Sequence, residues 1–308
     1  MRSKKRRLDV LAVSDMCVDL ILYGNVRPQF KQVEQIIEDY VLELGGSANI
    51  FISQMAKLGA SAGVIGWVGK DNFGEFVLSS LKTIGVNTSF VRSHDTERTG
   101  LGVALTEEHD RAILTYPGTI DATSPGELRP AFAFETRHWH IASYFLLRGL
   151  RSSWKDWLLR CKDAGVTTSL DTNWDPDDRW EGVHDLLPLV DIFLPNEVEA
   201  ARLTGEADSF KAAEKLARAG GLVVIKRGPN GAIACKGQRV WRLEVKDEEP
   251  TIADAIGAGD NFDAGFVWGQ MLGWSVQASL ELGHRCAVSS LAQPGGIRGQ
   301  LCERLRGS

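Results

Sequence analysis

Short apolar, often β-branched runs alternate along the chain with segments whose apolar residues recur at helical spacing. The run from Leu8 to Val13 predicts a strand, followed by a polar turn carrying Asp15 and Asp19. From Ser47 to Leu58, residues Ile50, Phe51, Met55 and Leu58 fall on one helical face, with Ser47 placed to cap the start and Gly59 to end it in a left-handed turn. A buried-type strand from Gly63 to Val68 and a helix from Glu75 to Ile84, stopped at Gly85, repeat the unit. Further strands are predicted at Arg137 to Ala142, Val166 to Asp171, Asp191 to Leu194 and Leu222 to Lys226. Such alternation is the signature of an α/β fold, a mostly parallel sheet covered by helices.

Two stretches, residues 21–44 and 99–116, break this rhythm. In the second, GLGVALT and RAILTY predict antiparallel strands around the polar turn Glu107 to Asp110. Together the stretches predict a small discontinuous β element, leaving residues 8–20, 45–98 and 117–304 as the main domain. An element of this kind can act as a lid, because closing a site excludes water.

Composition narrows the function. With 308 residues, 44% apolar and 24% charged, the chain has enough core for one large domain with a small appendage. No run approaches the roughly 18 to 20 apolar residues that cross a bilayer, and MRSKKRRLDV lacks the apolar stretch of a secretory signal, so no membrane partner and a cytoplasmic location are expected. Five scattered cysteines suggest neither a disulfide framework nor a zinc site. A net charge of −5, with basic residues clustered only from Arg2 to Arg7, gives no general attraction to nucleic acid.

Several familiar motifs fail. In GVIGWVGKD the first glycine of a P-loop would fall on Val64, and Asp71 replaces the residue that would reach magnesium. Phe262 stands where a third glycine should follow Gly257 and Gly259, so a dinucleotide-binding dehydrogenase is poorly supported. His138 and His140 share a strand face but lack a third ligand, and read as strand histidines.

One segment carries chemistry. Asp254-Ala255-Ile256-Gly257-Ala258-Gly259-Asp260 leads into a helical run through Phe262, Phe266, Val267 and Met271. Small residues at a helix start expose backbone N–H groups, and a phosphate oxygen can approach them without meeting a side chain. Asp260, in the first turn, can take a proton from an attacking hydroxyl; taken alone it reads more readily as a plain helix cap.

The stretch D-A-I-G-A-G-D-N-F-D-A-G-F, Asp254 to Phe266, resembles the C-terminal signature of the PfkB/ribokinase family of carbohydrate kinases. Gly45-Gly46-Ser47-Ala48-Asn49 with Leu58 to Phe76 resembles its N-terminal signature, and Pro195-Asn196-Glu197-Val198-Glu199 its N-x-x-E element. The resemblance implies a ribokinase-like fold, a mostly parallel central sheet flanked by helices with a small β lid. It also implies an ATP-dependent phosphotransferase acting on a hydroxyl of a small sugar or sugar derivative. Asp260 would be the base and Gly257, Ala258 and Gly259 the anion hole. Asn196 and Glu199 would help hold magnesium and phosphate through water; on local grounds they read equally well as the N-cap and a first-turn acid of a helix. Lys226, Gly228 and Gly231 match the strand-to-turn element beside the nucleotide, a segment that reads locally as a tight hairpin. Asp254 and the backbone of Ile256 match a loop for a monovalent cation such as potassium. On the acceptor side Asp19, Gly45, Gly46 and Asn49 match positions that bind sugar hydroxyls, and a homodimer through the lid is implied.

The chain departs from the ribokinase pattern in places. Cys17 stands where ribokinase has a hydroxyl-binding asparagine, and the Gly-Gly segment is one residue shorter, which argues against ribose itself. Asp171-Thr172-Asn173-Trp174 resembles the D-x-N segment of fructokinase-like and ketogluconate-kinase-like members without the arginine that often follows. Arg98, Arg111 and Arg179 remain as cations for an acidic acceptor. A nucleoside kinase of the same fold and a sugar-sensing protein on a kinase scaffold are the alternatives; intact Asp260 and its small-residue turn argue against the second.

Overall fold

The computed structural model describes residues 8–107, 111–128, 135–245 and 254–305; the basic cluster Arg2 to Arg7 and most of the turn Glu107 to Asp110 lie outside them. In chain order the elements are β1 (Leu8–Val13), β2 (Cys17–Tyr23), β3 (Asp39–Gly45), α1 (Ser47–Lys57), β4 (Ala62–Gly69), α2 (Asn72–Ile84), β5 (Asn87–His94), β6 (Gly100–Thr106), β7 (Arg111–Tyr116) and β8 (Thr136–Ile141). There follow α3 (Trp154–Asp163), β9 (Thr167–Leu170), α4 (Val183–Leu186), β10 (Ile192–Phe193), α5 (Glu197–Thr204), α6 (Ser209–Ala217), β11 (Leu222–Lys226), β12 (Ala232–Lys236), β13 (Arg239–Leu243), α7 (Ala258–Met271), α8 (Val276–Leu291) and α9 (Gly295–Arg298).

The main sheet runs β13-β12-β11-β10-β9-β8-β1-β4-β5. From β5 to β11 every neighbour pairs parallel, and the β11-β12-β13 edge is antiparallel. Its strands are apolar on both faces because both are covered: Val10 and Ala12 of β1 join the core of Phe51, Met55 and Phe266, while Leu11 and Val13 join that of Trp139, Trp154 and Phe193. The strand order reverses at β1, with β4 and β5 on one side and β8 to β11 on the other. At such a switch point the loops leaving the carboxyl ends of the strands diverge and open a crevice.

Four strands form a second, smaller sheet in the order β3-β2-β6-β7. It takes up the chain from Cys17 rather than from residue 21 and keeps it through Gly45, so Asp19 and Gly45 belong to the small sheet and not to the main domain. A carboxylate amid apolar residues reads as a turn. Here Asp19 lies opposite Glu43 of β3 and Gly102 of β6 on one face, while Val18 and Leu20 take the other.

Other departures are local. Ser47 is the first residue of α1 rather than its cap, a place taken by Gly46. Helix α2 starts at Asn72, earlier than its apolar pattern indicates, because Asp71 caps it by accepting from the Gly74 N–H. The polar edge strand β5 and the β12-β13 hairpin have no counterpart among the expected strands.

Candidate active site

Carboxyl ends of successive strands deliver polar residues to the crevice: Ser14 and Asp15 after β1, Ser143 after β8, Asp171 and Asn173 after β9, Asn196 after β10 and Lys226 closing β11. The start of α7 faces the same region. Its cap is Gly257, in the left-handed conformation at φ 71° and with no side-chain cap bond. A Cβ on Gly257 would sit 2.8 Å from Ile50 and 2.9 Å from the backbone of Gly296, so only glycine fits. Asn261 secures the turn from below, donating to the carbonyls of Gly257 and Gly296 and accepting from Gln300.

Asp260 is the third residue of α7 and therefore not its cap. Its carboxyl is buried at 7% exposure. Burial and the charge of Asp171 push it well above the usual carboxylate range, against the pull of Lys226 and Ser47.

Beside it lies a buried ion cluster. Lys226 donates to Asp171 at 2.7 Å and to Asp263 at 2.8 Å. Burial opposes the ammonium, but Asp171, Asp263 and Glu199 outweigh it and raise its pKa. Burial, set against the pull of Lys226, pushes the fully buried Asp263 carboxyl well up; burial works against the Asp171 carboxylate too, yet Lys226 holds it low. Lys226 thus neutralises the floor of the crevice, with its Nζ 3.5 Å from where a Cβ on Gly259 would lie. Asp263 was not among the expected residues. Its signal was a carboxylate one turn after Asp260 on a helix with no other charged residue.

Asn196 and Glu199 form a capping box: Asn196 accepts from the Glu199 N–H, and Glu199 accepts from that of Asn196, both at 2.9 Å. Burial first, then Asp171, pushes the Glu199 carboxyl up to about 7. Gly228 and Gly231 shape the β11-β12 connection at φ 52° and 79°.

On the small-sheet side, Asp19 projects over two glycines: a Cβ on Gly45 or on Gly102 would meet its carboxyl at 2.5 Å. Burial, then Asp15, pushes Asp19 up to about 7, with Arg111 of β7 pulling the other way. Gly46 is required where it stands, since a Cβ would lie 2.4 Å from the Asp15 carbonyl. Asn49, fully buried, accepts from Ser14 at 2.7 Å and donates to the Gly45 carbonyl at 2.8 Å, so it braces the glycine pair. Asp15, known from the sequence only as a turn residue, accepts from the Ser47 and Ala48 N–H groups and from the Ser143 hydroxyl.

Asp254 folds its own loop, accepting from the Ile256 N–H at 2.9 Å, the Gly295 N–H at 3.0 Å and the Tyr23 hydroxyl at 3.4 Å. Ile256 packs against Ile21 and Ala104, joining this loop to the small sheet. His138 and His140 are buried and bonded to Thr167 and Ser169, and burial brings both down to about 3. Among the described residues no three His, Cys, Asp or Glu side chains gather into a metal cage, and the five cysteines are free.

The model of the pfkB family carbohydrate kinases matches residues 7–301. The chain is 31% identical over 250 residues to an uncharacterized sugar kinase of Archaeoglobus fulgidus, covering 80% of this chain and 97% of that one. It is 29% identical over 304 residues to the ATP-dependent 6-phosphofructokinase of Thermoanaerobacterium thermosaccharolyticum (95% and 90% covered) and 27% identical over 291 residues to fructoselysine 6-kinase of Escherichia coli (92% and 97%). The fold is shared with a putative ribokinase II from E. coli, at a TM-score of 0.83 with 22% identity over 95% of this chain and 96% of that one. It is shared too with Arabidopsis thaliana ribokinase complexed with ribose and ATP, at 0.79 with 23% identity and 95% of each chain covered. With the family model spanning nearly its whole length and the crevice built at the expected strand ends, the chain belongs to the pfkB family of carbohydrate kinases and is an ATP-dependent carbohydrate kinase.

Proposed function

We propose that the enzyme transfers the terminal phosphoryl group of ATP to a hydroxyl of a small sugar or sugar derivative, with Asp260 as general base. The observation that carries this reading is the start of α7, where a glycine cap leaves the first turn without a side-chain cap and a buried carboxylate with a raised pKa stands beside it. The acceptor hydroxyl gives its proton to Asp260 as its oxygen attacks the γ-phosphorus, and the bond to the bridging oxygen breaks to release ADP. Gly257, Ala258 and Gly259 present backbone N–H groups to the phosphate charge, and Lys226 holds positive charge below them. Asp19, with Gly45, Gly46 and Asn49 shaping the surface beside it, receives the sugar hydroxyls.

Magnesium fits this chain as an ion carried by the nucleotide, because among the described residues no three His, Cys, Asp or Glu side chains form a cage of their own. Asn196 and Glu199 would hold it through water, where it would neutralise phosphate charge. A monovalent cation fits the loop that Asp254 folds around Ile256. Equal rates in potassium and in a large organic cation at matched ionic strength would remove that site.

The small sheet has two unlike faces. Asp19, Glu43 and Arg111 share one, while alternation puts Tyr40, Leu114 and Tyr116 on the other, where they are 64%, 61% and 45% exposed. Such an apolar sheet face suits burial against a second copy, and we assign the homodimer to it. A monomer in sedimentation at micromolar concentration would contradict this.

The acceptor is tested by ADP release over a panel of neutral, acidic, phosphorylated and amine-bearing sugars together with nucleosides. Turnover with a sugar is expected. Saturable binding without turnover for every compound would overturn the kinase reading of the site, and turnover confined to nucleosides would overturn its acceptor.

A further inference from the structure

One face of β2 serves two parts of the molecule, because strand alternation puts Asp19, Ile21 and Tyr23 on the same side. Asp19 lies over Gly45 and Gly102, whereas the next two residues of the row touch the loop that leads into α7. Ile21 packs with Ala104 of β6 against Ile256, all three buried. The Tyr23 hydroxyl donates to the Asp254 carboxylate at 3.4 Å. Ile256 directly precedes Gly257, so these contacts are made beside the turn assigned to phosphate. Strand β3 makes a second attachment. Glu43, opposite Asp19 in the register, is buried and pairs with Arg298 of α9. Its stem lies so near Gly295 that a Cβ there would be 2.6 Å away, and the Gly295 N–H donates to Asp254. The carbonyl of the following Gly296 accepts from Asn261, which also donates to the Gly257 carbonyl. Both attachments therefore end on the groups that fix the start of α7.

We propose that Tyr23, assisted by the Glu43–Arg298 pair, is a positioning residue that registers the acceptor strand against the phosphate-binding turn: filling the turn steadies β2, and with it Asp19, through the Asp254 loop. The inference rests on the Gly257 turn being the phosphate site and on Asp19 meeting the acceptor. Registration matters because a misplacement of about 1 Å between reacting groups can cost roughly 10²-fold in rate. Here the two partners stand on separate elements, Asp19 on the small sheet and the turn at the head of α7. Tyr23 lies four residues beyond Asp19, about 13 Å along an extended strand. A bond there restrains the tilt of β2 from a point well away from Asp19.

Amide hydrogen exchange of the full-length protein reads this directly, with the non-hydrolysable ATP analogue AMP-PNP and magnesium as the probe. Saturating analogue is expected to slow exchange in the peptide from Gly257 to Phe262 and also in β2, there by roughly 10-fold, an ordinary size for coupling between two sites. Tyr23→Phe keeps the ring and removes the hydroxyl. It should cut the slowing in β2 roughly 5-fold, the worth of one hydrogen bond, while AMP-PNP affinity and the slowing from Gly257 to Phe262 stay unchanged. Arg298→Gln, which frees Glu43 and leaves Tyr23 in place, should cut the slowing in β2 as well and serves as the test if Tyr23→Phe does not unfold cooperatively. A merely structural role would speed exchange in β2 with and without the analogue alike and keep their ratio. That result, or wild-type slowing confined to Gly257 to Phe262, would overturn the positioning role while the phosphate site stands. No slowing from Gly257 to Phe262 at saturating analogue would show the phosphate reading itself to be wrong, and this inference with it.

Discussion

Two helix starts flank the same crevice and are finished in opposite ways. Helix α5 opens with Asn196 and Glu199 satisfying each other's N–H groups, so its end is closed by its own side chains. Helix α7 opens with Gly257, which offers no side chain, and keeps its only first-turn acid, Asp260, buried. A closed helix end is a stability device, whereas an uncapped one leaves N–H groups for an anion from outside. The end at Asn196 keeps its first N–H groups occupied, whereas the end at Gly257 has no side chain to occupy them.

The largest expected effect concerns charge. Neither helix start, nor Lys226 already committed to two carboxylates, can neutralise the phosphates of ATP. Removing divalent ions with excess chelator should abolish turnover, with recovery on adding magnesium. Full activity in chelator would show that the protein alone balances that charge.

Next in size is the contrast itself. Gly257→Ala forces a Cβ against Ile50 and Gly296 at a left-handed position, and should lower kcat/KM for ATP by roughly 10²-fold, the scale of losing one aimed donor. Asn196→Ala should instead cost about 1 kcal/mol of stability in denaturant unfolding while reducing the rate less than roughly 10-fold. The reverse pattern would exchange the roles of the two ends.

Much of this architecture was legible in the sequence. Leu8–Val13 and Leu222–Lys226 announce themselves as strands because both faces are buried, and Asp254 to Phe266 carries its chemistry in consecutive residues. What stayed hidden depends on distant partners. Lys226, Asp171 and Asp263 meet only once β9, β11 and α7 are assembled, so no local pattern marks the cluster. Ser143 takes left-handed backbone that serine does not favour, and the bond from its N–H to Asn173 reaches across from another strand end. β5, with the sequence NTSFVRSH, lies at a sheet edge where apolar alternation is not demanded.

The smallest effect is on stability against pH. Asp19 and Glu199 are each pushed up to about 7, by burial and then by neighbouring carboxylates. In the unfolded chain such groups ionise near pH 4, so the native state holds extra protons between about pH 4 and about 7. Their contribution is fully present below that window and is lost as pH rises through it. The melting temperature of the ligand-free protein should therefore fall across the window, and Glu199→Gln should flatten part of the slope. A wild-type melting temperature that rises there would contradict these raised values.

The central claim is that the carboxylate at the uncapped end is the base, and Asp260→Asn isolates it. The change keeps size and polarity while removing the capacity to take a proton. Because Gly257, not Asp260, caps α7, the variant should unfold cooperatively near the wild-type midpoint and bind ATP with similar affinity. Single-turnover phosphoryl transfer, measured on the same preparation, is predicted to fall roughly 10²- to 10⁴-fold. A folded, ATP-binding variant with an undiminished chemical step would contradict the account.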